Sequence, residues 1–197
     1  MRVLLAIFCL CVFAQAKFIL NSGEIITPLL SEKLEIIGAE TEQKTGVGVY
    51  VAATKSLEGK SLEAFAQNFS ADLKAPYAIL LFAEKEHKVE IYGSADALEL
   101  FDKEQILSVG SSGRIIPIIA SQKKDLNATQ RIGVYNAALL NGYAEICDQI
   151  AKSRGVVLEN SIGNTNNSFI NFLRYVFYAT LIFAIGLYFY RKGRKHV

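Results

Sequence analysis

One stretch near the C-terminus constrains everything else in this chain: residues 169–190, FINFLRYVFYATLIFAIGLYFY, run with a single charge into the basic segment RKGRKHV. As a helix rising ~1.5 Å per residue the stretch is roughly 33 Å long, enough to cross a hydrocarbon core of about 30 Å. A buried helix of a soluble domain is seldom apolar all round, aromatic-rich and stopped by cations such as Arg191, Lys192, Arg194 and Lys195. The internal charge, Arg174, stands near the first end of the stretch, where its long stem lets the guanidinium reach the headgroups. The expectation is a transmembrane helix over residues 169–190 and a basic cytoplasmic tail over 191–197.

The N-terminus gives the anchor its counterpart. Arg2, an apolar run and then Ala14-Gln15-Ala16 before Lys17 follow the charged, apolar and small-residue order of a secretory signal, with cleavage between Ala16 and Lys17. Cys9 and Cys11 fall inside this segment, so a processed chain keeps only Cys147 and forms no internal disulfide. Export followed by a stop-transfer helix places residues 17–168 on the far side of the membrane. In a bacterial cell this is a single-pass inner-membrane protein with its domain in the periplasm. Twenty-one basic and nineteen acidic side chains leave a formal charge of +2, part of it in the tail, which is no electrostatic footprint for nucleic acid.

Between the two hydrophobic segments the pattern alternates between helix and strand. After a lead over residues 17–26, Thr27 reads as a helix cap with Pro28 at the first helical position. Leu30, Leu34, Ile37 and Thr41 then recur at three- and four-residue steps until Lys44 and Gly46 close the helix. VGVYVAA from Val47 is a strand of the kind covered on both faces. Ser61 caps a second helix carrying Leu62, Phe65, Ala66 and Phe69 on one face. YAILLFA from Tyr77 is a second buried strand, and the alternating residues Val89 to Tyr92 are a third, joined to it by the polar hairpin turn EKEH. Helical turns follow through Leu98 and Phe101 and from Lys103 to Leu107, then a loose SVGSSG and the apolar IIPII around Pro117. A last long helix after Asp125-Leu126-Asn127 carries Ile132, Tyr135, Leu139, Tyr143, Ile146 and Ile150, and Gly155 closes it. The domain is thus expected over residues 27–155. A tether over 156–168, rich in Asn, Ser and Gly from Glu159 onward, joins it to the anchor.

This order of segments resembles the TPM domain, found in bacterial exported proteins, thylakoid lumen proteins and an animal receptor modulator. The likeness runs from about Ile26 to Arg154. It is carried by LLSEKLEIIGAETEQKTGVGVYVAATKSLEGKSLEAFAQNF, by the strand pair YAILLFAEKEHKVEIYG, by the element with Asp102, and by IIP before the last helix. The resemblance implies an α/β fold in which a small central sheet is sandwiched by helices, and it agrees with the pattern above. It also implies a link to acid phosphatase activity and divalent metal binding through acids near the strand ends. Here the chain departs from the family. Where members carry Asp-Asn-Gly before the second strand this chain has Ala75-Pro76-Tyr77, and where they carry an acid-bearing turn it has Gly93-Ser94-Ala95. Asp102 alone matches a family acid position.

A substitute metal cluster would draw on Asp102 with the hairpin acids Glu84 and Glu86, near Asp96 and Glu99, and would take Ca²⁺ or a similar divalent ion, since hard cations want several converging oxygens. The competing reading makes these solvated surface acids, with Asp102 a helix cap. No other cofactor is implied. His87 lies in a turn and His196 in the tail beyond the membrane, so no histidine pair forms a metal site or triad. Cys147 sits on or beside the apolar stripe of the last helix, as a small hydrophobe does. SVGSSGR with Arg114 is a weak phosphate-nest motif. Asn127-Ala128-Thr129 is a glycosylation acceptor, although Asn127 equally suits a helix cap. The reading that results is a membrane-anchored periplasmic binding module, an accessory factor in assembly or maintenance of a membrane or envelope protein complex. Its partners are the membrane and another membrane or periplasmic protein, and the alternative is a metal-assisted acid phosphatase.

Overall fold

The structure of the protein, a computed structural model, describes residues 17–110, 113–121, 125–162 and 177–178. The expected signal segment, residues 163–168 of the tether, Arg174 and the basic tail lie outside the described residues, as does the expected transmembrane stretch apart from Phe177 and Tyr178. Among the described residues no helix is long and apolar enough to cross a membrane.

The domain is an α/β fold whose four-stranded sheet has helices on both faces. Its elements are β1 (Ile19–Asn21), α1 (Pro28–Thr45), β2 (Gly48–Thr54), α2 (Leu62–Ser70), β3 (Tyr77–Ala83), β4 (Lys88–Gly93), α3 (Ala95–Leu98), α4 (Lys103–Ile106), α5 (Ile116–Ala120) and α6 (Ala128–Ser153). The strands stand in the order β1-β2-β3-β4, with β1, β2 and β3 parallel and β4 returning antiparallel along β3. Side chains alternate cleanly across the two central strands, as the two-residue strand period requires. Val49, Val51 and Ala53 with Ala78, Leu80 and Phe82 face the core shared with α1 and α6. Tyr50 and Ala52 with Ile79 and Leu81 face the smaller layer under α2.

Local chemistry sets the helix ends. The Thr27 hydroxyl accepts the Leu30 N–H at 3.4 Å, and Gly46, at φ 74°, stops α1 by donating its N–H to the Glu42 carbonyl at 2.8 Å. Asn127 opens α6 with a reciprocal capping box to Gln130. The two long helices are also tied to each other. Thr27 donates its N–H and hydroxyl to Asn136 Oδ1 at 3.0 and 2.8 Å, and Asn136 Nδ2 donates to the Ile25 carbonyl at 2.7 Å. Tyr143, fully buried on α6, donates its hydroxyl to the Val49 carbonyl at 2.8 Å. A Cβ at Gly38 would stand 2.4 Å from that hydroxyl, so only glycine lets α1 approach this closely.

Three elements differ from the sequence expectation. The lead holds an edge strand, β1, with Phe18 and Ile25 buried beside it, because three residues are too few to show a period. The IIPII stretch is helical as α5, with Pro117 in its first turn, where a missing N–H costs nothing. The third is a correction: the tether does not begin at residue 156. Leu158 and Ser161 are buried, and residues 156–161 form a strap folded back along α1 and α6. The Glu40 carboxylate accepts the backbone N–H groups of Glu159 and Asn160 at 2.5 and 2.9 Å and the Asn160 side-chain amide at 3.0 Å. Lys44 bridges Glu40 at 2.7 Å to the Val157 carbonyl at 3.0 Å. On the other side Ser161 donates its hydroxyl to Asp148 of α6.

Candidate functional site

The three acids singled out from the sequence are each engaged separately. Glu84 closes β3 and faces Arg131 of α6 at 3.6 Å. Glu86 accepts the Ser56 hydroxyl and the Leu57 N–H, both at 3.0 Å, and so pins the loop after β2 to the β3–β4 turn. Desolvation works to raise its pKa, but these donors outweigh it and lower the value from the ordinary carboxylate range. Its second oxygen is buried without a hydrogen-bond partner among the described residues. Asp102 caps α4 by accepting the Gln105 N–H at 2.9 Å, while its own N–H goes to Gln149 Oε1 at 2.7 Å. Glu84 therefore contacts α6 at Arg131 and Asp102 contacts it at Gln149. Eighteen residues of helix, roughly 27 Å at ~1.5 Å each, separate the two. The structure does not bring Glu84 and Glu86 to Asp102. Among the described residues no group of three His, Cys, Asp or Glu side chains is placed to hold a metal ion.

The Gly93-Ser94-Ala95 turn is filled by a structural contact. Ser94 takes the Tyr77 N–H at 3.0 Å on its hydroxyl and returns its own N–H to the Tyr77 carbonyl at 3.0 Å, sealing the end of the β3–β4 pair. His87 is exposed in the hairpin turn at φ 49° and is the only histidine among the described residues. Cys147 is buried and free, and burial pushes its thiol up to about 12, so it is protonated at neutral pH. Arg114 is held by Glu145 at 2.9 Å, and Ser111 and Ser112 of the nest motif lie outside the described residues. Asn127 spends its side-chain oxygen on the α6 cap.

A cleft of about 1090 Å³ lies where the link from α3 into α4, the chain around Arg114, the C-terminal half of α6 and the strap meet. Its polar wall is a network. Gln149 accepts the Asp102 N–H and donates to Gln105 and to Glu145, each at 2.9 Å, and Glu145 turns its other oxygen to Arg114. Glu99 and Asp148 complete the acidic lining, and Lys152 adds a second base. Burial raises the Asp148 pKa above its ordinary value; the Ser161 hydroxyl works against this, and the charges of Glu145 and Glu40 add to it. The apolar wall includes Val156, Val157 and Leu158 of the strap. Sequence reasoning found Asp102 and Glu99 of this cleft and missed Glu145, Asp148 and Gln149. Their signal was a second stripe on the last helix, 145, 148, 149 and 152, at the spacing of one helical face and opposite the apolar one.

The sequence profile of the TPM domain family matches residues 20–149. Among solved structures the chain is similar to the N-terminal domain of the cg2496 protein from Corynebacterium glutamicum, determined by solution NMR. The match is at 12% identity over 72% of this chain and 82% of that one, with a TM-score of 0.44. No curated protein matches the chain.

Proposed function

Because the chain belongs to the TPM domain family, we propose that it is a membrane-anchored member working as a binding module, an accessory factor in the assembly or maintenance of a membrane or envelope protein complex. The observation that carries this reading is the cleft itself. It is large enough for a ligand, yet the acid that matches the family pattern, Asp102, caps a helix there, while Glu84 meets α6 eighteen residues away at Arg131 and Glu86 is spent on Ser56 and Leu57. In this reading residues 1–16 are a removable signal and 169–190 the span. Arg174 and Arg191, Lys192, Arg194 and Lys195 flank that span, and the domain stands in the periplasm of a bacterial inner membrane. Crosslinking and pull-down from native membranes are expected to recover a membrane or periplasmic protein; recovery of the chain alone sinks the proposal. Protease protection in sealed spheroplasts tests the topology, with the domain digested from outside and the tail spared.

The competing reading is a metal-assisted acid phosphatase that depends on Asp102. It requires the purified full chain to hydrolyse a generic phosphomonoester, with the rate falling in Asp102→Asn. Weak Ca²⁺ binding belongs to the same reading and is checked by melting temperature at millimolar Ca²⁺, which the binding-module proposal expects to stay unchanged. Glycosylation at Asn127 is tested by intact mass of the native protein.

A further inference from the structure

The chemistry of the cleft says what kind of partner fits it. Four acids line it, Glu99, Asp102, Glu145 and Asp148, against two bases, and one of those, Arg114, is already neutralised by Glu145 at 2.9 Å. The chain as a whole carries +2, so this negative sign is local. The donors nearest the acids are spent inside the wall: Gln149 gives its amide hydrogens to Gln105 and Glu145. Glu145 is engaged at both oxygens, whereas Asp102 and Asp148 each take one donor from the protein, the Gln105 N–H and the Ser161 hydroxyl, and keep acceptor sites for donors outside it, since ionised carboxylates are acceptors only. Facing them is an apolar wall in which Val157 is 67% exposed.

Resting on the binding-module reading above, we infer that the cleft receives a segment of a partner polypeptide that carries Lys or Arg beside branched aliphatic side chains. The cations meet Glu99, Asp102 and Asp148, and the aliphatic groups cover Val157. A compact divalent ion suits this lining poorly, because it needs several oxygens at one point and no such group exists among the described residues. Cations on flexible stems reach separate carboxylates. The raised pKa of Asp148, pushed by burial and by its acidic neighbours, accords with a wall short of positive charge. An anionic ligand or a nucleic acid meets the wrong sign.

The test uses the full chain in detergent and two end-blocked synthetic peptides, one bearing Lys, Arg, Leu and Val, the other with Glu at both basic positions. Calorimetric titration is expected to show the basic peptide binding at least about tenfold more tightly, with the gap closing as salt rises. Combining Glu99→Gln, Asp102→Asn and Asp148→Asn should bring it down to the level of the acidic peptide. The melting temperature should hold, since Asn still caps α4 and still accepts the Ser161 hydroxyl. Val157→Ser should weaken both peptides alike by about threefold. Equal binding of the two peptides, or full affinity in the triple variant, overturns the assignment. So does sedimentation that shows self-association abolished by the triple variant, which would give the cleft to a second copy. A pull-down that recovers the same partner with the triple variant as with the wild type removes the cleft from the function while leaving the binding module standing. Selective peptide binding with no partner recovered supports the cleft chemistry and overturns the assembly role.

Discussion

The strap over residues 156–161 is held from two sides, and the two sides are built on opposite terms. On the α1 side Glu40 is saturated. Burial would raise its pKa, but Lys44, the N–H groups of Glu159 and Asn160 and the Asn160 amide bring it down to about 2. On the cleft side Asp148 has one hydroxyl donor and two acidic neighbours, and its pKa goes up. Carboxylates gripping the same short segment are pushed in opposite directions by the number of donors each receives. The saturated side serves to hold the fold together, and the starved side keeps acceptor capacity that the protein leaves unused.

The sharpest way to break this contrast is Glu40→Ala. It leaves two strap N–H groups without their acceptor and is expected to cost about 3 kcal/mol, read as a shift of the denaturation midpoint. Native-state hydrogen exchange should show Glu159 and Asn160 losing protection first. A Glu40→Ala variant as stable as the wild type would mean that water replaces the clasp at no cost.

Acid titration sharpens the comparison next. A depressed pKa gives stability that is complete above the unfolded value of 4.5 and is lost as pH falls towards about 2, which is the Glu40 case. A raised pKa has the opposite sign: Asp148 weakens the fold when ionised and ceases to do so as it takes up a proton on the way down. Glu40→Gln should therefore flatten the acid-side loss of stability, and Asp148→Asn should steepen it. Identical acid curves for wild type and both variants would remove the electrostatic account.

At neutral pH the effect of Asp148→Asn should be the smallest in free energy, neutral or stabilising by up to about 1 kcal/mol, because Asn keeps an acceptor for Ser161 and drops the repulsion. A readout beneath both sides is Cys147, whose buried thiol is held near 12. Maleimide should modify it no faster than the domain unfolds, and fast labelling of the native wild type would show that the strap and helices open locally.

What the sequence made legible follows the range of the interaction involved. Thr27 with Pro28, Gly46, Ser61 and the alternation through the two central strands act within a few residues, and each stands where its chemistry placed it. The strap failed that test for a physical reason. Its apolar residues, Val156, Val157 and Leu158, are too few to show a period, and the side chain that orders the polar ones after them, Glu40, is 119 and 120 residues away in the chain. The candidate acids divided the same way. Asp102 as a cap was local and readable. Whether Glu84 reaches it depended on which end of a 26-residue helix each one met, and Glu86 is drawn instead to Ser56 and Leu57, about thirty residues back in the chain. β1 was too short to announce itself and is held by pairing to β2.

The clasp on α1 also bears on how the chain is threaded. Lys17, the first described residue, pairs with Glu42, and the strap closes on Glu40 and Lys44, so the domain's two ends meet the same turns of one helix from different sides. Joining them by a short linker and reopening the chain at the exposed turn of Glu58 and Gly59 is expected to give a circular permutant with the same far-ultraviolet spectrum. Where the domain's chain is opened is then separable from the sheet it encloses.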